Sequence, residues 1–276
     1  MATRLALHTS VSMKILYIGD IMGERGIEAV ARVLPKLRQE VDLVIAQGEN
    51  VSNAKGITTV DFNRLKKIGV DFLTGGNWTM HQDDIFPSLN DPNQPIIRPA
   101  NYPVGTPGLG WKYVQTRKGA VLVISLLGKI VGKDADKPVD NPLAVIDDIL
   151  KSQADVPRVA TVINFHGDYS SEKVVVGYYL DGRASLVVGD HWHVPTADAM
   201  VLPAGTAHMT DVGMCGALHS SLGVKTDSIV QRWRDGKVTR NVLETTGPMQ
   251  FNAALVDVDE ATGLAISIEH IQQILD

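Results

Sequence analysis

One cysteine, Cys215, is all the thiol this 276-residue chain has. A lone thiol excludes an internal disulfide framework and fits a reducing compartment, so a cytoplasmic location is expected. A cationic surplus is missing as well: 26 Lys and Arg face 31 Asp and Glu, for a net charge of −5. That balance argues against the broad basic footprint that duplex nucleic acid requires, while leaving room for a small pocket that takes a nucleotide. Long apolar runs are absent; AVLVISLLG at 120–128, among the longest, is about half of the ~20 residues needed to cross a bilayer. No membrane partner is expected. The first twelve residues, MATRLALHTSVS, have neither a long apolar region nor a small-residue cleavage pattern, so they do not read as a signal peptide. They read as a leader or disordered extension at 1–12, with translation starting at Met1 or Met13, followed by a single domain over 13–276.

Catalytic signatures are missing too. There is no P-loop, no G-x-S-x-G nucleophile elbow and no C-x-x-C pair, which removes kinase-like, elbow-hydrolase and thiol-redox readings. The glycines of GDIMGERG (19–26) lack the G-x-G-x-x-G spacing and put an acidic Asp20 in the turn, so a dinucleotide-binding loop is rejected. Internal repeats, low-complexity tracts and long Pro/Gly linkers are also absent.

What is present is ordinary globular composition, 44% hydrophobic with 25 Gly and 13 Pro, enough to bury a core without staples. Periodicity predicts strands over 14–19, 42–47, 71–75, 120–127, 158–165 and 184–189, and helices over 26–41, 59–69, 141–152 and 170–182. Short continuous apolar strands between amphipathic helices imply a large sheet covered on both faces.

The residues that follow those strands carry the chemistry. Asp20 follows KILYIG; Glu49 and Asn50 follow DLVIAQG; Asn77 follows DFLTGG; His166 follows RVATVINF; His191 and His193 follow ASLVVGD. In open α/β sheets the carboxyl ends of the strands form the crevice where ligands bind, so these residues can converge from distant parts of the chain. Oxygen and imidazole donors without thiolate suit Mn, Fe or Zn. Two cations could fit, with Glu49 as the bridging carboxylate, at the spacing that clamps an in-line phosphoryl displacement. Singly, each such residue reads as a helix cap or turn former; jointly, at five strand ends, they read as a metal site. Cys215 reads as a small buried hydrophobe, and His8, His208, His219 and His270 as structural or exposed.

The series GD (19–20), GEN (48–50), GGN (75–77), FH (165–166) and GDHWHVPTAD (189–198) resembles the calcineurin-like metallophosphoesterases. The stretches IRPANYP (97–103), TPGLGW (106–111), SSEK (170–173), LPAGTAHMTDVGM (202–214) and TDS (226–228) resemble the YmdB-like bacterial branch, over nearly the whole chain from Met13. The resemblance implies a four-layer α/β/β/α sandwich and a dinuclear centre of divalent or mixed-valence ions, Fe and/or Mn with Zn also suitable. It further implies hydrolysis of small phosphodiesters such as 2′,3′-cyclic nucleotides by a metal-bridging hydroxide. Asp20 and His193 would then hold one metal and Asn77, His166 and His191 the other, with Glu49 bridging and Asn50 near the first metal or the phosphate. A homo-oligomer is expected of such a fold.

One position departs from the family pattern. Its third motif reads G-N-H, with the His protonating the leaving oxygen or stabilising the phosphate, whereas this chain has Gly76, Asn77, Trp78. An indole N–H donates a hydrogen bond but is no general acid near neutral pH. Were NWTMHQDDIF to start a helix, His81 would share a face with Trp78 and could supply an imidazole, while Trp78 would line the substrate site. Two readings therefore stand: a dinuclear phosphodiesterase, and a metal-dependent nucleotide-binding or regulatory protein with hydrolysis weakened or lost through Trp78.

Overall fold

A computed structural model describes residues 12–276. His8 and the expected leader lie outside the described residues except for Ser12, which opens the first strand opposite Asp259.

The first part of the chain runs β1 (Ser12–Ile18), β2 (Asp20–Ile21), α1 (Gly23–Leu37), β3 (Leu43–Gln47), α2 (Thr59–Ile68), β4 (Phe72–Thr74) and the short α3 (Phe86–Asn90). It continues through β5 (Trp111–Thr116), β6 (Gly119–Leu127), α4 (Pro142–Ser152), β7 (Ala160–His166), α5 (Ser170–Tyr179) and β8 (Leu186–Asp190). The last part holds β9 (Met200–Val201), β10 (Ala207–Met209), β11 (Met214–Ala217), α6 (Thr226–Asp235), β12 (Met249–Asp259) and β13 (Ala265–Leu275).

The strands form two sheets, as the four-layer sandwich implied by the resemblance requires, where periodicity alone points only to a large sheet. One runs β2-β11-β12-β1-β3-β4 with β13 beside β12; the other runs β5-β6-β7-β8-β10-β9. Both have parallel centres, β1-β3-β4 and β6-β7-β8-β10. The strand periodicity is the same in either arrangement, because an apolar strand face is equally well covered by a helix or by another sheet. Along β1, alternate side chains serve different layers. Met13, Ile15 and Tyr17 pack with Val123, Val162 and Val188 of the opposite sheet, while Leu16 and Ile18 pack with Ile27, Val30 and Leu34 of α1. A third cluster joins Leu122, Ile124 and Ile163 to Ile146 of α4 and Val176 of α5. Each fully buried aliphatic side chain of this kind contributes roughly 1.5–3 kcal/mol of transfer free energy, and the layers stack as helices, sheet, sheet, helices.

Helix boundaries follow local chemistry. α1 starts three residues earlier than the sequence predicts and stops at Leu37, closed by the Arg38 N–H on the Leu34 carbonyl, with Pro35 inside its last turn. α2 is capped by Thr58, whose side chain accepts the Asp61 N–H, and ends at Gly69 in a left-handed conformation (φ 117°), the ordinary helix stop. Residues 79–81 form one 3-10 turn rather than the helix considered for NWTMHQDDIF. No helix among the described residues is long and apolar enough to cross a membrane.

Candidate metal centre

The strands of the two sheets deliver their ligand-bearing ends to one place. Asp20 opens β2, Glu49 and Asn50 follow β3, Asn77 follows β4, His166 ends β7, and His191 and His193 follow β8. Asp20, Glu49, Asn50, Asn77, His166 and His193 are all buried, and His191 is partly exposed.

His166 organises one half of the centre. Its Nδ1 lies 2.6 Å from Asp190 Oδ1; a carboxylate only accepts, so Nδ1 carries a proton and Nε2 is the edge turned to the centre. Nε2 is 3.0 Å from Glu49 Oε1 and 3.0 Å from Asn77 Oδ1. The Asn77 amide donates through Nδ2 to Asp134 Oδ2 at 2.9 Å, which fixes its oxygen toward His166. Glu49 Oε2 accepts the Trp78 backbone N–H at 2.9 Å, and Oε1 meets only the His166 Nε2 edge. A carboxylate oxygen, an amide oxygen and the Nε2 edge of the imidazole therefore converge on one point, where a cation could stand in place of the Nε2 proton. The His191 ring completes this half, 4.4 Å from the His166 ring between centroids, with Nε2 3.3 Å from Asp168 Oδ1. One ligand atom each from Glu49, His166 and His191 lies within 4.8 Å of the others.

The other half repeats the pattern. His193 Nδ1 is 3.3 Å from the Leu222 carbonyl, which leaves Nε2 unprotonated toward Asn50 Oδ1 at 3.3 Å and Asp20 Oδ1 at 3.9 Å. Asn50 Nδ2 donates to the Ala54 carbonyl at 3.0 Å, again fixing the oxygen inward. Asp20 Oδ2 accepts the His191 backbone N–H at 3.0 Å, and its Oδ1 is buried without a hydrogen bond.

The electrostatics agree with a missing positive charge. Burial, then the neighbouring Asp190 carboxylate, pushes Asp20 well above the usual carboxylate range. Burial and the nearby His191 pull His193 down to about 4, so its ring is neutral and competent as a ligand. Burial also opposes the charged form of His166, but the Glu49 and Asp190 carboxylates outweigh it and hold this ring well above its ordinary value. A cation bound by Glu49 and His166 Nε2 would take the place of that proton. Oxygen and imidazole donors with two orphaned carboxylate oxygens fit divalent metal; the one cysteine, Cys215, contributes nothing.

Asp190 also lies within ligand distance of Asp20 and His166. Its Oδ2, however, accepts from Tyr17 OH (2.8 Å), Gln47 Nε2 (3.0 Å) and Asn164 Nδ2 (2.5 Å), and its Oδ1 is taken by His166. It orients the imidazole instead of facing the opening. Gly76 is needed for a different reason: a Cβ there would sit 2.3 Å from Glu49 Oε2 and 2.5 Å from His166 Cδ2.

Trp78 stands beside the centre, half-buried, with Lys55 Nζ 4.8 Å and Lys137 Nζ 5.9 Å from its ring centroid. His81 is exposed and makes an edge contact with the Trp78 ring, 5.4 Å between centroids; the 3-10 turn brings it to Trp78 and to none of the seven candidate ligands. Among the other histidines, His208 is buried on Gly177 with Nδ1 bonded to the Val187 carbonyl at 2.9 Å, and His219 is exposed. Cys215 is buried. The sequence reading passes over Asp134, Asp168, Asp190, Lys173 and Asp211. Only Asp190 carries a signal of its own, as the last residue of β8.

The sequence profile of the YmdB-like protein family matches residues 16–271. The 2′,3′-cyclic-nucleotide 2′-phosphodiesterase of Bacillus subtilis (strain 168) is 38% identical over 263 residues, covering 94% of this chain and 96% of that protein. A hypothetical protein from Thermus thermophilus superposes with a TM-score of 0.87 at 34% identity, over 96% of this chain and 100% of that one. A phosphatase structure from Mycoplasma pneumoniae gives 0.89 at 28% identity, over 97% and 95% of the two chains. With matches that run nearly end to end, this chain belongs to the YmdB-like protein family.

Proposed function

We propose that the protein is a phosphodiesterase that acts on small phosphodiesters, 2′,3′-cyclic nucleotides foremost, with two divalent cations held at the strand ends. The phosphoric ester hydrolase class rests on the named activities of its relatives. The observation that carries the metal reading is the pair of buried ligand clusters, His166 Nε2 with Glu49 Oε1 and Asn77 Oδ1, and His193 Nε2 with Asn50 Oδ1 and Asp20 Oδ1. Asp20, Asn50 and His193 would hold one cation and Asn77, His166 and His191 the other. Glu49, whose charge acts on both Asp20 and His193, would serve both. Cations bound there would lower the pKa of a water toward neutrality and neutralise phosphoryl charge.

The chain's own groups do the remaining work. Asp190 fixes the His166 ring, and Asp134 fixes the Asn77 amide. The indole of Trp78 offers a flat wall on which a base can stack, and Lys55 and Lys137 bring positive charge to its rim. None of these groups gives a proton to a ribose oxygen as easily as an imidazole does. His81, exposed and in edge contact with the Trp78 ring, would supply such a proton only by reaching past that ring. Trp78 also favours the second reading, a metal-dependent nucleotide-binding or regulatory protein with weak turnover.

The deciding experiment follows hydrolysis of 2′,3′-cyclic AMP and of bis-p-nitrophenyl phosphate by Mn2+-loaded and chelator-treated protein. Metal-dependent hydrolysis of both supports the phosphodiesterase. Cyclic nucleotide binding without hydrolysis of either ester, with metal in place, overturns it in favour of the binding protein.

A further inference from the structure

Lys173 is a charged side chain that the proposed chemistry does not use, and it is 1% exposed. It lies on the inner face of α5 beside Val176 and Gly177, where helical spacing calls for an apolar residue. All its donors are engaged. Nζ donates to the Asp190 carbonyl at 2.6 Å and to Asp211 Oδ2 at 2.7 Å, and it lies 4.0 Å from the centroid of the Trp192 ring. Asp211 Oδ2 also accepts the Trp192 backbone N–H at 2.9 Å, while its Oδ1 accepts that of Gly213 at 2.9 Å. The indole N–H of Trp192 donates to the Asp168 carbonyl at 3.0 Å. Trp192 is thus tied by its backbone, its ring face and its ring N–H.

The residues on either side of it are strained. His191 has φ 99° and His193 φ 64°, a left-handed region that side-chain-bearing residues enter only where the surroundings hold them. In extended backbone, residues two apart point the same way from one strand; here β8 has already ended, and the turn instead sends His191 toward His166 and His193 toward Asp20 and Asn50. A buried ion pair is weak evidence for stability, since a well-packed apolar pair often serves as well. Its geometry here has a more specific product. We propose that the buried Lys173–Asp211 pair, closed by the Trp192 indole, clamps the 190–193 turn in its left-handed form, which makes Lys173 a positioning residue for His191 and His193.

This rests on the reading of those histidines as metal ligands, and metal binding itself is the readout. Mn2+ titration followed by electron paramagnetic resonance counts free ion against bound, and the visible spectrum of Co2+-loaded protein reports ligand geometry. The variants are Lys173→Met, the charge-balanced Lys173→Met/Asp211→Asn, and Trp192→Leu, which leaves the ion pair in place. Val176→Ala, on the same helix and in the core, controls for general loosening. Loss of an outer tether of this kind weakens metal binding about 10–100-fold. That loss is expected in at least one of the two sites for Trp192→Leu and for each lysine variant whose circular dichroism stays native. The Co2+ bands should change with it, and Val176→Ala should bind as wild type does. Should both lysine variants fail to fold, Trp192→Leu decides alone. Wild-type Mn2+ affinity and Co2+ spectrum in Trp192→Leu and in the folded lysine variants overturn the inference, as does an equal loss in Val176→Ala. Wild-type protein that binds no Mn2+ overturns the metal reading itself and this inference with it.

Discussion

His166 and Asp190 meet at 2.6 Å in a place where neither is exposed to solvent, and that contact decides what the other edge of the ring can do. With Nδ1–H committed to Asp190, Nε2 is the edge left for a cation to take in place of its proton. Asp190 is itself held at Oδ2 by Tyr17, Gln47 and Asn164, so the ring stands on a scaffold reaching from both sheets. Replacing Asp190 with Asn should weaken Mn2+ binding about 10–100-fold. It also leaves at least one buried donor unmatched, a cost of about 1–3 kcal/mol. Mn2+ titration and thermal unfolding of Asp190→Asn measure the two effects, and unchanged Mn2+ affinity would count against the assigned tautomer.

Trp78 sets the second expectation. Nitrophenolate leaves without a proton, whereas a ribose alkoxide does not, so the wild-type protein should favour activated esters. Trp78→His should raise kcat on 2′,3′-cyclic AMP by at least roughly tenfold and alter bis-p-nitrophenyl phosphate hydrolysis much less. His81→Ala should stay within about threefold of wild type on both, because its ring meets only Trp78 at the site and general acid catalysis is worth ~100-fold or more. Metal content measured in the same samples separates chemistry from a displaced Asn77.

Chelation should destabilise the fold. Metal bound only by the native state adds about 2.7 kcal/mol at a hundred times its Kd, so Tm should fall on chelator treatment and return with Mn2+. Glu49→Ala, which removes the carboxylate proposed to serve both cations, should lose both by elemental analysis; retention of two metals per chain would show that Glu49 does not bridge.

Gly76→Ala tests the close approach at the centre. Its Cβ would fall 2.3 Å from Glu49 Oε2, so the substitution should abolish metal-dependent hydrolysis while far-UV circular dichroism stays native. Wild-type metal content and kcat in this variant would mean that the carboxylate has room to move.

The Cys215 thiol is pushed up to about 12, chiefly by burial. The folded state keeps a proton that an unfolded thiol releases near pH 8.5. Its contribution to stability is therefore complete below about pH 8.5 and is lost as pH rises from there toward 12. A thiol reagent at pH 8 should leave the native protein unlabelled and label one thiol per chain after denaturation.

The sequence reveals the centre more readily than the sheets. Asp20, Glu49, Asn77, His166, His191 and His193 stand out because parallel strands end in a crevice, and a polar residue just past an apolar run is visible in one dimension. Asp134 and Lys173 are legible only through contacts with residues 57 and 38 positions away, in their bonds to Asn77 and Asp211. The division into two sheets is hidden for a simpler reason: the alternation in β1 marks two covered faces without saying what covers them. β12 and β13 escape the pattern because polar Asn252 and Asp257 interrupt the first, and the second is partly exposed along its length. Residues 79–81 make a single 3-10 turn in place of a helix, and the i, i+3 spacing still sets His81 against the Trp78 ring.

The pairing of β1 with β12 has a consequence for how the protein forms. Seven consecutive pairs, from Ser12 with Asp259 to Ile18 with Ala253, join residues more than 230 positions apart, and β2 meets β11 over nearly as long a separation. Contacts so distant along the chain slow folding, because loop closure is costly before they can reward it. During synthesis, β1 and β3 would wait with an open edge until residues beyond Met249 emerge. Asp20 and His193 reach each other only late in the same process. A nascent chain of this kind is exposed to edge-to-edge association until its distant strands pair, and the candidate metal ligands would converge late in that process.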